Sequence, residues 1–184
     1  HDTFARVFSL IKPEKFQECF LSWVEAIGQK CQGEFIAIDG KTLRRSYDSN
    51  SAKAAIHMVS AWASKNRLVF GQVKTEEKSN EITAIPELLD LLDLRGCIVT
   101  IDAMGCQKKI AGQLVAQGGD YVLGLKGNQS SLLESVEQIF SNATQAELDS
   151  SDFDFHQTTE TGHGRHEVRS YFTTSRLDQI PCAE

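Results

Sequence analysis

Apolar residues along this chain fall first into helical stripes, then into short alternating runs, then into stripes and runs in turn. Phe4, Val7, Phe8 and Ile11 recur at three and four residues and predict a short helix that Asp2 or Thr3 can cap. Pro13 suits the first turn of a second helix, whose Phe16, Cys19, Phe20, Trp23, Val24 and Ile27 form one strongly apolar face, read as core against the sheet or as a docking face. Phe35–Ile38 is a short β-branched run broken by Asp39-Gly40, which predicts a buried strand. From Ala54 to Ala63, Ile56, Met58, Ser60 and Trp62 alternate with Ala55, His57, Val59 and Ala61, a strand covered on both faces. A turn at Ser64-Lys65-Asn66 returns the chain as a third strand, Leu68–Val73, so these three predict an antiparallel meander.

Stripe and run then alternate. Thr83 can cap a helix carrying Ile85, Leu88, Leu89 and Leu92, with Pro86 in its first turn. Cys97–Ile101 predicts a fourth strand that runs into Asp102. A helix follows with Ile110, Ala111, Leu114 and Val115 inward, stopped at Gly118-Gly119, and Tyr121–Leu125 predicts a fifth strand. Asn128 is positioned to cap a further helix through Leu132, Leu133, Val136, Ile139 and Phe140. An acidic connector, Ser141 to Asp154, leads to two last strands, Phe153–Thr159 and Glu167–Thr173, around the turn Gly162-His163-Gly164-Arg165.

The fold class is therefore α/β. Three antiparallel strands, a helix, a strand, a helix and a fifth strand have the order of an RNase H-like mixed sheet, three strands antiparallel and two parallel, flanked by helices. A further helix and two strands follow the fifth strand. Periodicity alone allows other α/β folds, but no G-x-G-x-x-G follows any strand and no P-loop occurs, which argues against a dinucleotide or nucleotide site. The expected organisation is N-terminal docking helices over 1–33, an α/β core over 34–128, and a helix plus two strands over 129–184.

With 184 residues, one substantial core is the default. No apolar run approaches a membrane span, and nothing resembles a secretory leader, so the expected compartment is the cytoplasm and no membrane is engaged. Cys19, Cys31, Cys97, Cys106 and Cys182 are an odd, scattered set without a Cys-x-x-Cys pair, read as reduced thiols. The net charge of −6 argues mildly against nucleic acid, but cations cluster locally after Asp39 and again at Arg165, Arg169 and Arg176. The opening on His1 and the ending on Pro181-Cys182-Ala183-Glu184 read as an excised piece.

The candidate chemistry lies where two strands end in aspartate. A carboxylate leaving a strand is held by rigid backbone yet faces solvent, as a metal-dependent site requires. Taken alone, either aspartate reads more readily as a turn former than as a ligand, because Asp-Gly after a strand is a hairpin signal; two such strands, one trailed by three cations, bring the readings level. His57, within the alternation, reads as a satisfied sheet residue without chemistry.

Five strings in order carry a resemblance across essentially the whole chain. They are Ile-Ala-Ile-Asp-Gly-Lys-Thr-Leu-Arg (36–44), Glu-Lys-Ser-Asn-Glu-Ile (77–82), Ile-Asp-Ala-Met-Gly-Cys-Gln (101–107), Leu-Lys-Gly-Asn-Gln (125–129) and Gly-His-Gly-Arg-x-Glu-x-Arg (162–169). In these the chain resembles the H-repeat-associated group of bacterial insertion-sequence transposases, members of the DDE superfamily. The resemblance implies an RNase H-like catalytic domain for DNA recombination, in which three acids and two Mg²⁺ (or Mn²⁺) ions hydrolyse phosphodiesters and transfer strands at insertion-sequence ends. DNA, as element ends and target, is the implied partner, with a homodimer in the transposition complex.

Asp39 matches the first acid and Asp102 the second, both as metal ligands. The family's third acid is a glutamate in a Trp-x-Ile-Glu-Asn string that this chain lacks; the resemblance therefore implies that 34–128 is the catalytic core, that 129–184 is a partial insertion after the fifth strand, truncated before the last catalytic helix, and that the third acid lies past residue 184, with Glu167 the substitute within. A fragment with two acids is expected to bind metal weakly and to cleave poorly or not at all. Lys41, Arg44, Arg45, Lys126, Arg165 and Arg169 are the candidate phosphate contacts. Rival readings are a non-catalytic, transposase-derived remnant that binds DNA or a partner, and an RNase H-like nuclease that cuts without joining.

Overall fold

The structure, a computed structural model, describes residues 2–28, 33–43, 56–75, 81–144, 148, 150–162, 164–176 and 180. It divides into two compact units, His1–Leu125 and Lys126–Glu184.

In the first unit, helices α1 (Asp2–Leu10) and α2 (Pro13–Gly28) precede strand β1 (Phe35–Thr42). Strands β2 (His57–Ala63) and β3 (Leu68–Lys74), helix α3 (Glu81–Leu89), strand β4 (Ile98–Ile101), helix α4 (Lys108–Ala116) and strand β5 (Asp120–Leu123) follow. The sheet order is β3-β2-β1-β4-β5. β1, β2 and β3 pair antiparallel, whereas β1–β4 and β4–β5 pair parallel. The mixed α/β sheet expected from the order of runs and stripes is therefore present, three strands antiparallel and two joined in parallel.

One face of this sheet builds the core. Ile36 and Ile38 of β1 stand in register with Ala63 and Ala61 of β2 and with Val99 and Ile101 of β4. All six are buried, in one cluster with Ala84, Ile85, Leu88 and Leu89 of α3 and Ile110 and Leu114 of α4. Burial of such side chains stabilises by about 1.5–3 kcal/mol each, which makes this cluster the main stabilising term of the unit. The alternate positions are open: Phe35, Trp62 and Val122 are each more than two-fifths exposed. That corrects the expectation of a β2 strand covered on both faces, since its alternation serves one helix layer only. The N-terminal helices divide similarly. α2 reaches the core through Val24 and Phe20, while α1 buries none of its residues.

The start of β1 is held by a buried acid. Glu34 is fully buried, its Oε1 accepting from the Lys65 amide at 2.6 Å and its Oε2 from Asn66 Nδ2 at 2.9 Å. Both donors lie in the β2–β3 turn, which Arg67 closes in the left-handed region at φ 53°. A buried carboxylate satisfied by charge-assisted hydrogen bonds couples that turn to β1.

Two expected caps do not form. Thr83 lies inside α3, which starts at Glu81, and Asn128 lies in a 3₁₀ turn, Gly127–Gln129, ahead of α5 (Ser130–Asn142). The second unit contains α5 and a two-stranded ribbon, β6 (Phe153–Gly162) and β7 (Arg165–Thr174), longer than the predicted strands. Among the described residues no helix is long and apolar enough to cross a membrane.

Candidate active site

The site begins with a register. In the parallel pairing of β1 with β4, Ile38 stands opposite Ile101, so the next residue of each strand is an aspartate. Strands in a sheet lie about 4.8 Å apart, and alternation sends side chains two residues apart to the same face. Asp39 therefore follows Ala37, and Asp102 follows Thr100, on the face away from α3. Asp102 keeps an extended backbone (φ −70°, ψ −178°), so it continues the strand's alternation. Residues far apart in sequence are thereby made neighbours.

Each carboxylate has a local partner. Asp39, exposed over 60% of its side chain, lies 3.1 Å from Lys41 Nζ through Oδ2. Asp102 Oδ1 accepts from the Met104 amide at 3.0 Å, capping the 3₁₀ turn Ala103–Gly105. The turn-former reading of Asp102 is thus correct for one oxygen, and that bond also orients the carboxylate. Gly124, just after β5, comes close to this turn: a Cβ there would meet Ala103 N at 3.2 Å and the Asp102 carbonyl carbon at 3.4 Å. The glycine lets β5 close on the backbone that carries the second acid.

The pair is a fit for a hard cation, though a sparse one. Mg²⁺ takes oxygen ligands and is commonly held by one or two carboxylates, with water and substrate phosphate completing its shell. Among the described residues no group of three or more His, Cys, Asp or Glu is placed to hold a metal ion. Burial pushes the nearby Cys106 thiol up from its ordinary value, which keeps the sulfur protonated and unsuited to nucleophilic attack.

Glu167 lies in β7, where its Oε2 accepts from Arg169 Nη2 at 2.6 Å. It also stands directly across the ribbon from Glu160, whose Oε2 is 3.8 Å from Arg169 Nη1. Facing like charges repel, and one guanidinium between them removes the penalty. Arg169 is accordingly engaged within the ribbon. Glu160, Glu167, Gly162 and Arg165 line an open cavity of about 440 Å³. Arg165 and Lys126 are exposed in the second unit and Lys41 in the first, while Arg44, Arg45 and His163 lie outside the described residues.

Sequence reasoning passed over one cluster on the helix side of the sheet. His57 Nδ1 is 2.8 Å from Thr42 Oγ1, its partner in the β1–β2 ladder, and His57 Nε2 is 2.9 Å from Glu81 Oε1 at the start of α3. The Glu81 carboxylate lies against Gly40, the residue after Asp39, where a methyl group would collide with it. The available signal was Glu81 itself, the second glutamate of the Glu-Lys-Ser-Asn-Glu-Ile string.

Comparison with known proteins bears on this geometry. A family model described as the transposase DDE domain matches residues 30–175. Over 180 residues, 98% of its length, the chain is 48% identical to the H repeat-associated putative transposase YhhI of Escherichia coli strain K12, covering 47% of that protein. It is 46% identical over 180 residues to the H repeat-associated putative transposase YbfD of the same strain, covering 70% of it. An uncharacterized protein from the dhlA 3′ region of Xanthobacter autotrophicus is 46% identical over 183 residues. The chain spans about half the length of YhhI and more of YbfD.

Proposed function

The chain belongs to the family of transposase DDE domains, alongside the H-repeat-associated transposases, and on that premise we propose that it carries two carboxylates of a metal-dependent DNA-cutting and strand-joining site. The observation that supports this reading is the Ile38–Ile101 register, which makes Asp39 and Asp102 neighbours on one face. The reaction proposed is phosphodiester hydrolysis followed by strand transfer at insertion-sequence ends.

Attack on a phosphodiester adds charge to a group that is already anionic, so the protein's task is to position and neutralise. Asp39 and Asp102 would hold the divalent ion, which when bound neutralises the phosphate and favours the attacking hydroxyl. The Met104 amide fixes the Asp102 carboxylate toward that position. Lys41 bonds Asp39 in the free protein and would turn to the DNA backbone once a cation takes its place. Lys126 and Arg165 are further proposed backbone contacts. We assign the third acid to the part of the longer relatives that this chain does not match, because Glu167 already has a partner in Arg169.

The test is a strand-transfer assay, with Mg²⁺ and labelled element-end DNA, on the longer polypeptide that contains this sequence. Joined product is expected, falling about a hundredfold or more in Asp39→Asn or Asp102→Asn. Nicks without joining would identify a nuclease instead, and neither product would identify a remnant.

A further inference from the structure

Three strands and a helix meet on the helix side of the residue that follows Asp39. Thr42 and His57 are the last pair of the β1–β2 ladder. The His57 carbonyl accepts from the Thr75 amide at 3.0 Å, and Thr75, which follows β3, is buried. Glu81 is the first residue of α3. The imidazole joins these parts. With its proton on Nε2 it donates to Glu81 Oε1 and accepts from the Thr42 hydroxyl on Nδ1, so one neutral tautomer satisfies both contacts. His57 and Glu81 are 30% and 22% exposed, shielded enough for the contact to be maintained.

The placement of Glu81 is what gives this cluster a consequence. Its carboxylate occupies the space above Gly40 that any side chain there would fill. Gly40 is peptide-bonded to Asp39, where β1 has passed its last pair with β4 and stays paired with β2 alone. A group pressed on that glycine limits how far this one-sided stretch of β1 can rotate, and the direction of the Asp39 carboxylate depends on that rotation. Thr42 restrains the same stretch two residues on.

We propose that Glu81 is a positioning residue for Asp39: seated against Gly40 and held by His57, it fixes the stretch of β1 that aims the first carboxylate of the cation site. The proposal rests on the cation-site reading given above. It concerns a residue on the opposite face of the sheet, acting through the backbone and not touching the ion.

Mn²⁺ titration of the 184-residue chain, followed by the loss of the free-ion paramagnetic resonance signal, tests it. Asp39→Asn is expected to remove the binding. Glu81→Ala is expected to weaken it about tenfold, the range seen when a group supporting a metal ligand is lost. Glu81→Gln, which keeps an oxygen for His57 Nε2–H, is expected to restore most of the affinity. Gly40→Ala should weaken binding by displacing Glu81, and adding Glu81→Ala to it should cost little more, a non-additivity that general destabilisation does not produce. Thermal unfolding of each variant shows that it is folded at the titration temperature.

Unchanged Mn²⁺ affinity in Glu81→Ala, with Asp39→Asn still abolishing binding, overturns the positioning role and leaves the cation site standing. A Glu81→Gln variant as weak as Glu81→Ala, or additive losses in the double variant, overturns it as well. Absence of any Asp39-dependent binding in the unsubstituted chain overturns the cation site, and this proposal with it.

Discussion

The five-stranded sheet and the two-stranded ribbon use the same side-chain alternation and reach opposite results. In the sheet, one set of alternate residues disappears into a helix layer: Ile36, Val59, Ala61 and Val99 are fully buried. In the ribbon, the rings of Phe155 and Phe172 meet at a tilt with 4.8 Å between centroids, yet each residue stays about half exposed. Its opposite face carries His156 and Tyr171, then Thr158 and Arg169, then Glu160 and Glu167. An isolated two-stranded ribbon is marginal in water, because cross-strand pairs replace a core. Alternation therefore says where a strand is, and says little about how firmly it holds a functional group. The paired aspartates sit on the firm element. The arginines of the Gly-His-Gly-Arg-x-Glu-x-Arg string sit on the other, and Arg169 is occupied with neighbouring acids.

Substitutions can press on that contrast. Leu88→Ala, at a fully buried position under the sheet, should cost about 3 kcal/mol in urea-induced unfolding. A loss below about 1 kcal/mol would mean that the helix layer is not seated as described. Phe172→Ala should cost about 1 kcal/mol, and hydrogen exchange should confine the change to β6 and β7 amides. If sheet amides lose protection equally, the ribbon is not an independent element.

The smallest effect expected concerns an exposed ion pair. Arg95 beside Asp93 lowers that carboxyl from 3.8 to about 2, chiefly through a side-chain hydrogen bond. A folded-state value below the unfolded one gives stability that is present above about pH 4 and lost as the pH falls through about 2. Both side chains are largely exposed, so the contribution is slight. Unfolding curves of Asp93→Asn and the unsubstituted chain should differ little at pH 5 and converge near pH 2.

Element order, the mixed sheet and the aspartate that follows β4 were legible because each leaves a local trace, whereas the Asp39-Gly40 break expected after Ile38 is no strand end, since β1 continues to Thr42 in pairing with β2. Apolar period, breaking glycines and an acid after a β-branched run can all be read in a few residues. The helix starts were less so. A threonine or asparagine before an apolar stripe marks a possible cap, but α3 begins two residues ahead of Thr83, and a 3₁₀ turn absorbs Asn128. His57 was passed over for a different reason. Its alternation identifies the strand correctly, yet its partners come from the preceding strand and from a helix 24 residues later, a meeting that no local pattern encodes. Gly40 reads in sequence as a turn glycine, whereas in the fold it makes room for a carboxylate.

The parallel junction of β1 with β4 has a consequence for synthesis. β1, β2 and β3 pair with near neighbours and can assemble as soon as they leave the ribosome, because closing short loops is fast. Asp102 joins Asp39 only after α3 and β4 have also emerged and the crossover has closed. A translation product that stops before β4 would therefore hold one aspartate of the pair and lack the parallel strand that brings the other beside it. The meeting of the two aspartates is thus a late event in synthesis, timed by where β4 falls in the chain.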